Sequence, residues 1–299
     1  MTTEYLEQAR ARFGRIAFAE RLGMTIAELA HDRAVLLLPY QPAHMNAGGV
    51  LNGGASASLV TMTGTLAAWT GVDVDAKNDV RCVDVSLQYL NAAREDDIVA
   101  EARVLRRARD VVFLGVAVRS QAGSPICQGL LTYQTADHGG HAPRLRADHI
   151  LLPAPSPLID SGKHRLFQGY VRKLEITPVH ETPGRVRLRM PFTPAHANES
   201  GHLDAGALAS MVDIAAVAAS WSLIPPRPGA RGSTIAMQVS FPSTTTEAVV
   251  ADAHVQQRSE SLLFSTVHVT AATSGQLVAM GQVSYRLLEP WPDSPTSGA

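Results

Sequence analysis

Cysteine is almost missing: Cys82 and Cys127 are the only two in 299 residues. Two cysteines make no disulfide framework and match no metal-ligand spacing, and a reducing cytoplasm is the expected compartment. Lysine is nearly as scarce, with only Lys77, Lys163 and Lys173 among 26 cationic residues; that arginine bias suggests a GC-rich bacterial genome. Charge of one sign is lacking too, since 26 Lys+Arg against 27 Asp+Glu leaves −1. With no basic field, nucleic acid and an anionic membrane are excluded as primary partners. The opening MTTEYLEQARARFGR has no apolar stretch, so no signal peptide is read. Aromatics reach only 5 %, which argues against a ring-stacking pocket. His138, His141 and His149 sit on no regular element, so no metal or other cofactor is expected. No dinucleotide-binding, P-loop or nucleophile-elbow motif occurs: Ser56 and Ser58 lack the trailing glycine of an elbow.

What the chain has is itself, twice. At a shift of 152, PAHMNAGGVLNGGASASLVTMTGTLAAW (Pro42–Trp69) falls on PAHANESGHLDAGALASMVDIAAVAASW (Pro194–Trp221), with thirteen of 28 positions identical. Further on, VAEARVLRRARDVVF matches VADAHVQQRSESLLF at a shift of 151. Looking for such repeats first is the right order, because missing one mistakes the whole fold. Each copy reads as a helical or extended lead-in, a strand (AVLLLPY; RVRLRMPF), a Gly/Asn loop, one long Ala-rich helix, and four period-2 segments. One helix against about five antiparallel strands per copy is α+β. The expected division is residues 1–140 and 161–290 as the two units, 141–160 as linker and 291–299 as tail. Ala205–Ile224 is apolar enough to suggest a membrane span, but Asp213 near its middle would cost roughly 2.5–3.5 kcal/mol there, so a buried helix wrapped by a sheet is expected.

Asp213 is a carboxylate flanked by Val212 and Ile214, with Ala209, Ser210, Ala216 and Val217 a turn away. Such a group is either paired for structure or held for work, and the helix alone does not choose. The loop before the first long helix packs Asn46, Gly48, Gly49, Asn52, Gly53 and Gly54 into nine positions. Asn52 is a good N-cap. The N–H groups of the first turn, at the positive end of the helix dipole, can receive a developing oxyanion.

Asn, then six residues later a cap followed by Gly-Gly, then an acid nine residues past the cap, resembles the PaaI-type hotdog thioesterases. The likeness spans nearly the whole chain twice over. It implies two tandem hotdog domains, each a long central helix wrapped by an antiparallel sheet, forming an intrachain pseudo-dimer. It also implies hydrolysis of an acyl-CoA or related acyl thioester, with active sites between units.

Carried over by position, the first copy offers Asn46, Asn52, Gly53 and Gly54, with Thr61 at the acid position. The second offers Asn198, Asp204, Ala205 and Gly206, with the acid Asp213. Both lack the family's His, replaced by Asn52 and Asp204. A later hydroxyl that helps hold water in some members falls on Thr234, and on Cys82 in the first copy. In this family donors and acid come from opposite units. One complete set therefore results: Asn46 and the Gly53 N–H as oxyanion donors, Asp213 as acid, Thr234 as its helper, with Gly54 and Asn52 beside the substrate. The reciprocal set (Asn198, Ala205, Asp204 and Thr61) is expected to be degenerate, since Thr61 is no base and Asp204 adds charge at the oxyanion position. Arg107 and Arg258, equivalent by the repeat, are candidate phosphate contacts. His44 and His196 recur in both copies and read as loop packing. A homo-oligomer of tandem chains is expected. Two other functions fit less well: non-catalytic acyl-CoA or acyl-carrier binding, which would not need the acid, and a hotdog hydratase or dehydratase, whose paired Asp/His or Glu/His is not found.

Overall fold

The computed structural model describes residues 2–72, 80–135, 165–224 and 230–287. The linker 141–160, the tail 291–299, Lys77, Lys163 and the three linker histidines lie outside them. The first half runs α1 (Thr2–Phe13), α2 (Ala17–Leu22), β1 (Thr25–Ala30), β2 (Arg33–Leu38), α3 (Gly53–Trp69), β3 (Arg81–Tyr89), β4 (Ile98–Arg107), β5 (Val111–Ser120) and β6 (Pro125–Gln134). The second runs α4 (Tyr170–Lys173), β7 (Thr177–Thr182), β8 (Arg185–Met190), α5 (Ala205–Trp221), β9 (Gly232–Ser240), β10 (Val249–Ser259), β11 (Leu262–Ala271) and β12 (Leu277–Leu287).

The strands form one antiparallel sheet in the order β1-β2-β4-β5-β6-β3-β9-β12-β11-β10-β8-β7. Reading it from either end gives the same sequence of equivalent strands, so the halves are related by a pseudo-twofold axis at the β3–β9 seam. There Asp84 pairs with Ser240 and Gln88 with Ala236. This is a double hotdog. Each long helix lies against its own half of the sheet and against the other helix. That explains their composition. A helix covered on all sides shows no polar stripe, and Ala, Ser and Gly let the two backbones approach.

Two expectations change. Each half has six strands rather than about five, because β1 and β7 add outer edges. TIAELA in β1 shows no period-2 burial: only Ile26 and Leu29 are partly buried against the core, and main-chain pairing to β2 supplies the rest of its hold. The apolar run also ends as helix at Trp221, and among the described residues no helix is long and apolar enough to cross a membrane.

Candidate active site

The site begins at two helix caps. Asn52 Oδ1 accepts the Gly54 N–H at 2.9 Å, and Asp204 Oδ1 accepts the Gly206 N–H at 2.7 Å. α3 and α5 cross close to these caps. A Cβ on Gly54 would lie 2.9 Å from Ser210 Cβ, and one on Gly206 2.8 Å from Ser58 Cα. At the crossing the hydroxyls of Ser58, Ser210 and Tyr170 bond one another at 2.8–3.0 Å.

That close approach carries Asp213, one turn along α5 from Ser210, onto the first turn of α3. A Cβ on Gly53 would stand 2.7 Å from Asp213 Oδ2. Only glycine leaves room there, which gives Gly53 a reason that capping alone does not. Asp213 is 3 % exposed, and Thr234 Oγ1 donates to its Oδ1 at 2.6 Å. Burial pushes its pKa up to about 6, while the Thr234 hydroxyl and the Gly54 N–H hold it from rising further. A carboxylate tuned to this range is ionised at neutral pH yet still basic enough to take a proton from water.

Asn46 belongs to the adjoining loop, which is closed by the Met45–Leu51 bridge. Its Oδ1 accepts the N–H groups of Gly48 at 2.8 Å and Val50 at 3.4 Å. With the oxygen turned into its own loop, the amide NH2 is the end left to donate. Asn198 is held alike by Ser200 and His202, both at 3.0 Å. His44 Nδ1 bonds the Pro39 carbonyl at 3.3 Å, and burial lowers its pKa to about 4, so the ring is neutral. His196 repeats the contact with Pro191 at 3.0 Å.

The mirror arrangement places Thr61, Ala205 and Asp204 together without an acid to match Asp213. Thr61 Oγ1 donates back to the Ala57 and Ser58 carbonyls, both at 3.0 Å. Cys82, where the other half has Thr234, is buried with its thiol pushed up to about 12. Tyr133 Oη donates to the Thr61 carbonyl at 2.7 Å and covers Gly64, where a Cβ would lie 2.9 Å from it. Asp204 is a cap whose pKa burial raises to about 6 against the Gly206 and Ala207 N–H groups.

Arg107 does not match the expected phosphate role. It sits at the opposite end of α3, where its guanidinium bonds Asp32 at 2.7 Å and the Ala68 and Ala67 carbonyls at 3.1 and 3.3 Å. It caps the negative helix terminus. Arg258 is exposed on β10, paired with Leu263 of β11.

Two residues beside the site were not singled out in the sequence. Tyr89 Oη donates to the Gly53 carbonyl at 3.1 Å; burial pushes its phenol upward, and Asp213 adds to that. Arg94 Nη1 lies 3.4 Å from the Gly48 and Gly49 carbonyls at the loop's tip and makes no ion pair among the described residues. The repeat held the signal. At a shift of 152, Tyr89 falls on Phe241 and Arg94 on Thr246, so each polar group exists on one side only.

A family model described as thioesterase superfamily matches residues 48–127. Acyl-coenzyme A thioesterase 13 of Homo sapiens is 32 % identical over 122 residues, which is 40 % of this chain and 84 % of that protein. A putative esterase of Saccharolobus solfataricus is 28 % identical over 102 residues, 34 % of this chain and 71 % of its own. Two solved structures share the fold across both halves. One is an acyl-CoA thioesterase II from Mycobacterium marinum, with TM-score 0.61 and 16 % identity over 91 % of this chain and 98 % of that one. The other is a hot dog protein of unknown function from Alicyclobacillus acidocaldarius, with TM-score 0.63 and 12 % identity over 93 % and 98 %.

Proposed function

Since the chain belongs to the thioesterase superfamily and is a thioester hydrolase, we propose that it cleaves acyl-CoA at one composite site per chain. That site takes its acid from the second half and its oxyanion donors from the first. The observation that carries this is the Asp213 carboxylate lying over Gly53, at the dipole-positive end of the other half's helix.

In this reading the thioester carbonyl oxygen rests on the Gly53 N–H and the Asn46 amide NH2. Thr234 holds Oδ1 of Asp213, so Oδ2, the oxygen facing Gly53, accepts a proton from water. The resulting hydroxide adds to the carbonyl carbon, and the two donors stabilise the oxyanion that forms. The C–S bond then breaks, the thiolate leaves and takes the proton from Asp213, and the acid is released. Gly54 and Asn52 keep the first turn of α3 in place. In the mirror set of Asn198, Ala205, Asp204 and Thr61 the acid position holds a hydroxyl, and the one carboxylate, Asp204, is spent as the helix cap beside the oxyanion position, so this set is read as a degenerate site.

The substrate's phosphates need a cation at the mouth. Arg94 fills that place better than Arg107 or Arg258, because it stands at the tip of the Asn46 loop. Residues 1–140 and 161–290 serve as the two units, with 141–160 joining them, in a cytoplasmic bacterial protein. Leu105, Phe113 and Leu130 are 63, 41 and 58 % exposed on neighbouring strands of one sheet face, which suits a homo-oligomer of tandem chains.

The test is thiol release from a panel of acyl-CoA chain lengths. Asn46→Ala should lower turnover by roughly 10²–10³-fold, as for loss of one oxyanion donor. Asn198→Ala should cost less than twofold. Equal losses would show that donors and acid do not pair across the halves in this way.

A further inference from the structure

The Asn46–Gly53 loop is gripped by the other half of the chain. The Tyr170 N–H donates to the Met45 carbonyl at 3.3 Å. Gly169, just before it, has φ +52° and leaves no space for a Cβ against that same carbonyl. Further along α4, Lys173 Nζ donates to Gln41 Oε1 at 3.2 Å and meets His44 Nε2 at 3.1 Å. His44 is fully buried. Its Nδ1–H donates to the Pro39 carbonyl, so Nε2 is the accepting nitrogen. The His44 carbonyl accepts the Asn52 N–H at 3.0 Å, which ties the imidazole to the cap of α3. Asn46 follows two residues later. One ammonium is therefore linked to both stretches that carry oxyanion donors.

The mirror loop lacks this link. Arg21 stands where the repeat puts the equivalent of Lys173. Its guanidinium instead bonds the Lys173 carbonyl, and Glu175 at 3.1 Å. That carbonyl also lies near His196, yet His196 Nε2 is buried with no hydrogen-bond partner among the described residues. The mirror loop is tied by Glu199, which pairs with Arg12 of α1 and with Arg15 in the turn after it. The tether to a neutral imidazole is confined to the side that has the acid.

We propose that Lys173 is a positioning residue, whose ammonium reaches across to His44 and holds the Asn46–Gly53 loop where it receives the thioester oxygen. This rests on the composite-site reading above. A loop of this kind must hold its donors within about 0.5 Å of the productive geometry, and a misplacement of about 1 Å costs as much as 10²-fold. The ammonium touches no reacting atom, so its loss should appear in kcat and leave substrate capture largely intact.

The experiment measures kcat and KM for acyl-CoA hydrolysis by the full chain. Lys173→Met should lower kcat by roughly 10–100-fold with KM changed less than threefold. Lys173→Cys should be equally slow, and alkylation with 2-bromoethylamine, which rebuilds an ammonium of lysine's length, should restore most of the rate. Cys82 and Cys127 are buried with thiols pushed up to about 12, so the reagent is directed to the introduced thiol. A matched pair covers the case in which a Lys173 variant does not fold: His44→Gln should be slow, while His196→Gln keeps kcat within twofold. The proposal is overturned if Lys173→Met keeps wild-type kcat, if alkylation recovers nothing, or if both histidine variants lose rate equally. An inactive wild-type chain would instead overturn the acyl-CoA reading on which it rests.

Discussion

Replacing Asp213 by Asn should make the protein both inactive and more stable, and the stability gain should depend on pH. A carboxyl whose pKa is raised in the fold binds its proton more tightly there than in the unfolded chain. It costs nothing below its unfolded value of 3.8 and costs most above about 6, where the buried group must be charged. A rise from 3.8 to about 6 amounts to about 3 kcal/mol at roughly 1.4 kcal/mol per pKa unit. The amide abolishes that cost but turns an NH2 toward the Gly54 N–H, which gives back about 1 kcal/mol. The net gain at pH 8 is about 2 kcal/mol, or about 3 °C in Tm for a chain of this size. At pH 4 the gain should vanish and the lost contact should leave Asn slightly worse. Activity should fall by roughly 10²–10⁴-fold, the contribution of a positioned base. Thermal unfolding at pH 4, 6 and 8, alongside thiol release, reads both effects. A variant that is active within a few-fold, or equally stabilised at every pH, would refute the reasoning.

Other consequences follow from the same geometry. The wild-type kcat/KM should rise with pH through about 6 as Asp213 ionises, and an acid limb below 5 would contradict the burial argument. Tyr89→Phe should lower kcat several-fold without unfolding the chain, since Phe241 is tolerated at the mirror position; Phe241→Tyr should leave kcat unchanged. Arg94→Ala should raise KM about tenfold for acyl-CoA but not for the acyl-pantetheine thioester, which lacks phosphates, whereas a rise for both would place the contact on the arm itself.

The caps and the repeat were legible because their causes are local, whereas the meeting of Asp213 with the Gly53 turn was expected only from the resemblance to the hotdog thioesterases. Asn52 and Asp204 cap helices wherever they precede such runs, and a repeat shift of 152 places Thr234 opposite Cys82 without any coordinates. Gly53 could be given a reason only once α3 and α5 were seen to cross. Arg107 was misread because its partners, Asp32 and the end of α3, lie far from it in the chain. Residue type and strand position say nothing about that. Tyr89, Arg94 and Lys173 differ from Phe241, Thr246 and Arg21 in the sequence, but those differences gain meaning only when each side chain is seen against the loop. The outer strands β1 and β7 were illegible because their side chains are at most partly buried and show no period-2 alternation.

The central claim is that acid and donors meet across the halves once, not twice. Titration calorimetry of the Asp213→Asn chain with an intact acyl-CoA tests it most directly, since the ligand is then not consumed. The mirror pocket has Asp204 at its helix cap and Tyr133 packed over Gly64, and should not bind in the same range. The account predicts a stoichiometry of about one ligand per chain. Two equal sites per chain would contradict it, even with the double-hotdog fold unchanged.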